Sequence, residues 1–129
     1  MKLKQTVHNI QLSISNTNIV ELDYPTEIDV SLEQAQDIDK IIFDITEGED
    51  IYLIVNMENS FGSLSSETQS FFAQDAPTVS QIKASAIILN NLPVRLLVKF
   101  YLNVFKPLYK TKVFSNADKA HQWIKKQIS

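Results

Sequence analysis

Apolar positions along this chain follow a period of two in some segments and a helical period in others, so the pattern predicts alternating strands and helices. Residues 7–14 have an apolar side chain at every second position from Ile10 onward, and residues 18–24 repeat the alternation after a polar turn. Two half-buried strands joined by a turn are predicted to form an antiparallel hairpin. The Tyr24-Pro25 pair ends the hairpin, because a residue before proline is restricted to extended geometry.

The segment after the hairpin predicts a helix that ends at Gly48. Ser31 and Gln34 have the spacing of a capping box, in which the serine oxygen accepts a hydrogen bond from a backbone amide and the glutamine side chain reaches back to the serine amide. Apolar side chains then recur three or four residues apart, which is the period of one helix face. They are Leu32, Ala35, Ile38, Ile41, Ile42 and Ile45.

Two later runs, residues 51–55 and 84–89, are almost continuously apolar. Such runs are typical of interior strands that are covered on both faces. The polar stretch ENSFGSLSSE follows the first run, and a helix through residues 71–73 is predicted after it, with Ser65 or Ser66 as its cap.

The last third of the chain predicts two more helices and one more strand. Pro93 is tolerated in the first turn of a long helix, and Pro107 ends that helix. Residues 112–114 form a short predicted strand. Ser115 is predicted to cap a final helix over residues 116–128, which has an acidic first turn and a basic last turn.

The order of elements is a hairpin, three helix–strand pairs and a last helix. It indicates an α/β sandwich with a mixed sheet of about five strands and about four helices. The length of 129 residues is that of one folding unit, so we expect a single domain over residues 1–129.

Composition restricts the class of protein. Apolar residues make up 44% and charged residues 21%, which favours a globular chain over a disordered one. The absence of cysteine excludes disulfides, thiolate metal sites and a cysteine nucleophile. The amino-terminal region lacks the continuous apolar stretch of a signal peptide, and no segment reaches the roughly 20 apolar residues of a membrane span. We therefore expect a cytoplasmic protein.

Charge is divided unevenly along the chain. Residues 1–82 carry fourteen acidic and three basic side chains, whereas residues 83–129 carry nine basic and one acidic. Such asymmetry can mark an acidic or membrane-surface partner for the basic part. The alternative is that the two parts pack together and their fields partly cancel.

Two stretches of the sequence are familiar from a known group of proteins. The ending KVFSNADKAHQWIKKQI, a strand followed by a capped helix, and the stretch from Ala84 through Pro107 resemble the STAS/SpoIIAA-like superfamily, in particular its small stand-alone STAS/SEC14-type domains. The resemblance covers the chain from about Val7 to Ile128. It implies a SpoIIAA-like fold and a non-enzymatic regulatory role through protein contacts, like that of anti-sigma factor antagonists.

The same resemblance points to two serines as candidate regulatory residues. In anti-sigma factor antagonists a strand leads to a loop that ends in DSSG, and a serine at the next helix start is phosphorylated by a partner kinase. Ser65 and Ser66 take the places of the paired serines, whereas Leu64 and Glu67 replace the flanking aspartate and glycine. The resemblance implies Ser65 and Ser66 as phospho-acceptors, but a serine at a helix start is also a common N-cap.

Signatures of hydrolase, nucleotide and metal chemistry are missing. His8 falls in a predicted strand and His121 in the last helix, and FGSLS lacks the second glycine of a nucleophile elbow. A P-loop needs a second glycine followed by lysine, and the acidic residues within 44–50 lack the spacing of an EF-hand. We therefore expect no enzyme, no cofactor and no metal site, with a serine hydrolase as a remote alternative.

The predicted helix LPVRLLVKFYLNVFKP is unusually apolar. Its charged and amide side chains lie in one narrow polar row, which consists of Arg95, Lys99, Asn103 and Lys106. The remaining apolar arc is about twice the width that one sheet face needs. A second surface must cover the surplus, and it is a neighbouring helix, a second subunit, or a lipid or membrane surface.

We favour a homodimer, because a two-fold axis covers the surplus apolar arc on both copies at once. The predicted interface consists of Arg95, Lys99, Phe100, Tyr101, Val104 and Phe105. Nucleic acid is a poor partner, since no exposed aromatic residues are interleaved with the basic ones and the pI is 5.3. The expected function is a non-enzymatic regulatory module with an unidentified protein partner. The alternative is a Sec14-like domain that binds a small apolar ligand, a lipid or a membrane surface.

Overall fold

A six-stranded mixed sheet forms the centre of the computed structural model, which describes residues 2–62 and 65–128. The strands in chain order are β1 (Leu3–Val7), β2 (Ile10–Ile14), β3 (Ile19–Asp23), β4 (Glu27–Ile28), β5 (Ile51–Asn56), β6 (Phe61–Gly62), β7 (Ile82–Ile88) and β8 (Lys110–Phe114). The large sheet has the order β1-β2-β3-β5-β7-β8, and β4 pairs with β6 in a separate small sheet. The predicted α/β class is confirmed, with six strands in the large sheet instead of about five.

Strand direction changes from one side of the large sheet to the other. The β1–β2 and β2–β3 pairs are antiparallel, and the β3–β5, β5–β7 and β7–β8 pairs are parallel. The helices are α1 (Leu32–Thr46), α2 (Ser66–Ser70), α3 (Leu92–Phe105) and α4 (Ala117–Ile128). Helix α2 continues as the π-helical segment Phe71–Asp75, and a 3-10 turn over Pro77–Ser80 follows. The parallel strands β5 and β7 are interior, as predicted for residues 51–55 and 84–89.

The predicted strand over residues 7–14 is confirmed from Ile10 to Ile14, but its start is wrong, because the chain turns back at His8 and Asn9. His8 and Asn9 have φ values of 49° and 66°, and Val7 pairs with Ile10 across this two-residue turn. Two positive φ angles give a turn whose twist matches that of the flanking strands, and asparagine tolerates this geometry well. The amino-terminal residues therefore add β1 to the predicted hairpin of β2 and β3.

Helix α1 has the boundaries that the sequence predicts. The Ser31 hydroxyl accepts a hydrogen bond from the Gln34 amide, and the Gln34 side chain accepts one from the Ser31 amide, so the capping box is confirmed. At the other end Glu47 has left-handed geometry and Gly48 a φ of 75°. A left-handed residue ends a helix because its geometry does not continue the hydrogen-bond ladder.

The large sheet separates two apolar layers. Along β7, Ala84, Ala86 and Ile88 pack against α4, while the intervening Ser85 and Ile87 face the side that carries α1 and α3. Successive side chains of a strand point to opposite faces of the sheet, so this alternation shows that β7 is covered on both faces. The sheet therefore has α4 on one face and α1, α2 and α3 on the other.

The cap of helix α4 lies one residue later than predicted. The Asn116 side chain accepts a hydrogen bond from the Lys119 amide at 2.9 Å, so Asn116 and not Ser115 is the N-cap. The side-chain oxygen of an N-cap residue accepts a hydrogen bond from the backbone amide three residues later, and Asn116 stands three residues before Lys119. Helix α4 packs through Ile124, which is buried, and through the Trp123 ring, which lies 5.6 Å from the Phe114 ring.

In the part of the chain that the structure describes, no helix combines the length and the apolar character that crossing a membrane requires.

Candidate functional site

The serine-rich stretch after β5 lies at the edge of the sheet where the parallel strands end, and a buried serine attaches it to the end of β3. The Ser60 hydroxyl donates a hydrogen bond to the Pro25 carbonyl at 2.7 Å. Phe61–Gly62 then pairs in parallel with Glu27–Ile28. Ser63 and Leu64 lie outside the described residues. Ser60 therefore acts as an anchor of this loop.

Ser65 and Ser66, the predicted phospho-acceptors, are both exposed at the start of α2 but have different roles. Ser65 is the N-cap, since its Oγ accepts a hydrogen bond from the Thr68 amide at 3.2 Å. Ser66 is the first residue of the helix itself. The capping interpretation is confirmed for Ser65, and phosphorylation of either serine stays a prediction.

Both histidines have acidic partners. The His8 Nε2 atom lies 3.0 Å from the Asp37 carboxylate, and the His121 Nε2 atom lies 2.7 Å from the Glu21 carboxylate. Among the described residues, neither histidine ring is hydrogen-bonded to a serine hydroxyl, and no three acidic or histidine side chains come together as metal ligands. The described contacts therefore contain no serine that a histidine activates.

Helix α3 exposes a row of large apolar side chains four residues apart, which we call the α3 stripe. Its members are Leu92, Leu96, Phe100 and Val104, and they are between 53% and 68% exposed. Arg95 and Lys99 are exposed beside the stripe. Two of the six predicted interface residues, Phe100 and Val104, thus belong to an apolar surface that the described residues leave open to solvent.

The other aromatic residues of the predicted interface are less exposed. The Tyr101 and Phe105 rings are 5.8 Å apart and half-buried, and Tyr101 lines a cavity between α3 and the sheet. The predicted interface is therefore divided between the outer and the inner side of α3.

The carboxyl end of α3 is held by the π-helical segment Phe71–Asp75. The Gln74 side chain donates a hydrogen bond to the Phe105 carbonyl, one of the carbonyls that a helix end leaves without a helical partner. The Tyr109 hydroxyl donates to the Phe72 carbonyl at 2.9 Å. These bonds fix α3 at its carboxyl end and position its inner side over the sheet.

A cavity of about 130 Å³ lies between the large sheet and helices α1 and α3. Its walls are mainly apolar. Leu53 and Ile87 line it from the sheet, Ile38 from α1, and Leu97 and Val98 from α3. The cavity is thus lined by elements that lie far apart in the sequence.

Three buried polar side chains line this cavity, namely Asp39, Thr78 and Ser85. Asp39 of α1 accepts a hydrogen bond from the Thr78 hydroxyl, and Ser85 lies on the central strand β7. Burial raises the pKa of the Asp39 carboxyl, and the hydrogen bonds from Thr78 act in the opposite direction. Among the described residues that line the cavity, Asp39 is the one carboxylate and there is no lysine, arginine or histidine.

Three tyrosines add phenol groups to the cavity wall. Tyr24, Tyr101 and Tyr109 all line it, and the Tyr101 and Tyr109 hydroxyls are hydrogen-bonded to each other. Burial raises the pKa of Tyr101 to about 12 and raises the pKa values of Tyr24 and Tyr109 well above the usual range. All three side chains are therefore uncharged at neutral pH.

Sequence reasoning did not identify Asp39 or Ser85 as site residues, although each had a recognisable signal. Asp39 stands one helical turn after Ala35, on the face of α1 that the apolar pattern predicts to be buried. Ser85 interrupts an otherwise apolar run that predicts a central strand. A polar residue at a position predicted to be buried is informative, since its desolvation costs free energy unless it is paired.

The chain belongs to a family that sequence comparison identifies directly. The family model described as Domain of unknown function (DUF7793) matches residues 12–128, which is most of the chain. No curated protein matches the sequence. The family description states no activity, so the function is argued from the geometry of the sites.

A structural comparison supports the fold. The chain is similar to a crystal structure from Shewanella loihica PV-4, described as an uncharacterized protein from the DUF3478 family with a SpoIIAA-like fold. The TM-score is 0.57 at 13% sequence identity, over 89% of this chain and 91% of the other. At this identity the similarity shows the fold alone. The SpoIIAA-like fold that the sequence resemblance implied is thereby confirmed.

Proposed function

We propose that this protein is a non-enzymatic, regulatory protein-interaction module that forms a homodimer through the α3 stripe. The observation that carries the proposal is the exposure of this row, with Phe100 at 62%. Monomeric proteins seldom expose a contiguous apolar patch larger than a few hundred Å², and larger patches mark contact surfaces. Burial of the stripe against a partner removes its apolar area from water, which is the main driving force of association.

Charge favours a second copy of the chain over an anionic membrane as the partner. Helix α3 contains no acidic residue, and its Arg95 and Lys99 flank the stripe. Exposed acids such as Glu33 and Asp37 lie on α1. In a two-fold dimer the same surfaces meet twice, so the basic rim of each copy can reach the acidic rim of the other. The net charge of −3 opposes approach of the whole chain to an anionic bilayer, whereas the basic residues of α3 by themselves attract one.

The contacts at the rim are expected to set the relative orientation of the two copies and to contribute little to the binding free energy. Exposed ion pairs contribute on the order of 0–1 kcal/mol each, because water and salt screen them. The aromatic and aliphatic side chains of the stripe supply most of the binding free energy, and aromatic residues are enriched at the centre of such interfaces. We therefore expect a dimer that persists at high salt.

The non-enzymatic part of the proposal is supported by the contacts of the nucleophile candidates. The Ser65 hydroxyl contacts Thr68, and the Ser60 hydroxyl contacts the Pro25 carbonyl. Hydroxyl catalysis requires an adjacent base that removes the proton, and the described contacts of these serines supply none.

Analytical ultracentrifugation of the purified chain at high micromolar concentration tests the dimer. We expect a dimer at low and at high salt, and we expect Phe100→Glu to produce a monomer because it places a charge at the centre of the interface. Phe43→Glu is the matched control, since Phe43 is an exposed phenylalanine on α1, outside the stripe. Phe43→Glu should remain a dimer.

Three results would contradict the homodimer. A strict monomer at high micromolar concentration would reject it. A Phe100→Glu protein that stays dimeric would place the interface elsewhere. Monomeric protein that sediments with vesicles containing phosphatidylglycerol, and loses this binding in Phe100→Glu, would assign the stripe to a membrane surface.

A further inference from the structure

The cavity beneath α3 is large for a gap in a folded core. Protein interiors are close-packed, with few voids that exceed one water molecule. This cavity measures about 130 Å³, close to the roughly 150 Å³ of an apolar cavity that binds benzene. An empty void of this size lowers stability, because its lining loses packing partners. A bound molecule would restore those contacts.

The walls of the cavity define which molecule can fill it. Apolar side chains such as Leu53, Ile87 and Val98 surround most of the space, so the occupant must be mainly apolar. The Asp39 carboxyl on α1 and the Ser85 hydroxyl on β7 offer buried hydrogen-bond acceptors. An anion would face Asp39 without a compensating cation among the described lining residues. Moving a charged group from water into such surroundings costs more free energy than its contacts with apolar side chains recover.

We propose that this cavity binds a small uncharged molecule, mainly apolar and about the size of a substituted benzene, that carries one hydrogen-bond donor. The apolar body packs between α3 and the sheet, and the donor reaches Asp39 or Ser85. The site lies on the inner side of α3 and the α3 stripe on the outer side. The proposal therefore does not depend on the homodimer, and a monomeric chain could bind the same molecule.

Methyl NMR with three matched probes tests the site in the full chain. The probes are toluene, 4-methylphenol and 4-methylbenzoate, which share a ring and a methyl group but differ in polar group and charge. We expect saturable shifts of the Ile38 and Leu53 methyl signals, because these side chains line the cavity. The methyl signals of Ile54 and Ile124 are the internal control, since both side chains pack between α4 and the other face of the sheet.

The order of affinities reports the chemistry of the walls. A net hydrogen bond should make 4-methylphenol bind about threefold to tenfold tighter than toluene. The charged 4-methylbenzoate should bind at least about tenfold weaker than 4-methylphenol. Ser85→Ala tests the serine contact, because it removes the hydroxyl and keeps the cavity. If Ser85 accepts the hydrogen bond, Ser85→Ala should weaken the binding of 4-methylphenol more than the binding of toluene. If Asp39 accepts it, Ser85→Ala should leave both affinities unchanged.

Two substitutions should fill the cavity from opposite walls. Ser85→Leu extends from β7 and Val98→Phe extends from α3, so the proposal stays testable if one variant fails to fold. Each should weaken the binding of toluene and 4-methylphenol by at least about tenfold. Leu96→Phe is the matched control, because it enlarges an exposed side chain on the outer side of the same helix. It should leave both affinities unchanged.

The proposal would be overturned in three ways. Shifts that fail to saturate, or that affect the methyl groups beneath α4 equally, would show that the cavity is not the binding site. Unchanged binding in folded Ser85→Leu and Val98→Phe proteins would show the same. Tighter binding of 4-methylbenzoate than of 4-methylphenol would contradict an uncharged ligand.

Discussion

The Ser65 Oγ atom accepts a hydrogen bond from the Thr68 amide at 3.2 Å and donates one to the Thr68 hydroxyl at 3.0 Å. These two contacts use the serine to hold the first turn of α2, with the buried Thr68 side chain beneath it. Ser66 is the first helical residue and its side chain is exposed. The paired serines therefore differ, since one caps the helix and the other is accessible.

Ser65→Ala should lower the free energy of unfolding by about 1 kcal/mol, because it removes the N-cap bond to Thr68. Ser66→Ala is the matched control and should change it by less than about 0.5 kcal/mol, as an exposed substitution usually does. Urea denaturation followed by circular dichroism measures both values. Equal losses in the two variants would contradict the assignment of the cap to Ser65 alone.

If the loop is a phospho-switch, Ser66 is the better acceptor, since the Ser65 hydroxyl is engaged with Thr68 and Ser60 is buried. Mass spectrometry of protein taken from its native cells should then find phosphate on Ser66. The phosphomimetic Ser66→Asp should alter partner binding and leave the melting temperature nearly unchanged, because a negative charge is tolerated at a helix start. Absence of phosphate on Ser60, Ser63, Ser65 and Ser66 under all growth conditions would leave only the structural role of Ser65.

Ile54 is fully buried on β5, where it packs beneath α4. Ile54→Asp should cost several kcal/mol, because the carboxylate loses its hydration and the apolar layer offers no cation. That loss is a large part of the free energy of unfolding of a domain of this size, so the variant should not fold cooperatively. Ile54→Val is the conservative control and should cost about 0.5–1.5 kcal/mol. A soluble Ile54→Asp protein with a cooperative thermal transition would contradict this placement of Ile54.

His121 uses both ring nitrogens, one for a contact within α4 and the other for a contact that joins α4 to β3. Its Nδ1 atom lies 2.7 Å from the Ala117 carbonyl and its Nε2 atom 2.7 Å from the Glu21 carboxylate. Only the protonated ring can donate to both acceptors. Burial by itself would lower the pKa of His121, but the bonds to Ala117 and Glu21 outweigh it and raise that pKa.

A raised histidine pKa makes the folded state hold its proton more tightly than the unfolded state does. The stability from His121 is therefore complete below the unfolded pKa, about 6.5, and is lost as the pH rises through the folded value. His121→Gln should cost more stability at mildly acidic pH than at mildly alkaline pH. The difference should stay below about 1 kcal/mol, because the side chain is 41% exposed and solvent screens the pair.

Chemical denaturation of the wild type and His121→Gln across this pH range measures the effect. Glu21→Gln is the control, because it removes the negative partner and should reduce the pH dependence of the difference. A cost of His121→Gln that grows as the pH rises would contradict the raised pKa.

Several features of this fold could be predicted from short windows of sequence. The capping box of Ser31 and Gln34, the end of α1 at Gly48 and the strand character of residues 51–55 are all confirmed. Each depends on side chains and backbone groups within a few residues of one another. The two errors, the missed turn and the misplaced cap of α4, also arose from short stretches of sequence. The turn at His8 and Asn9 lacks the glycine that usually marks it, and Ser115 and Asn116 are both good caps side by side.

The sites depended on the tertiary structure. The pattern of α3 showed an apolar arc too wide for one sheet face, but not that Phe100 faces solvent and Tyr101 the interior. The pattern also placed Ser85 in a central strand and Asp39 on a helix face without relating them. Burial and cavity volume depend on atoms of α1, β7 and α3 together, and these elements are distant in the sequence. No local pattern shows either quantity, so the exposed stripe and the cavity arise only when these elements pack on one sheet.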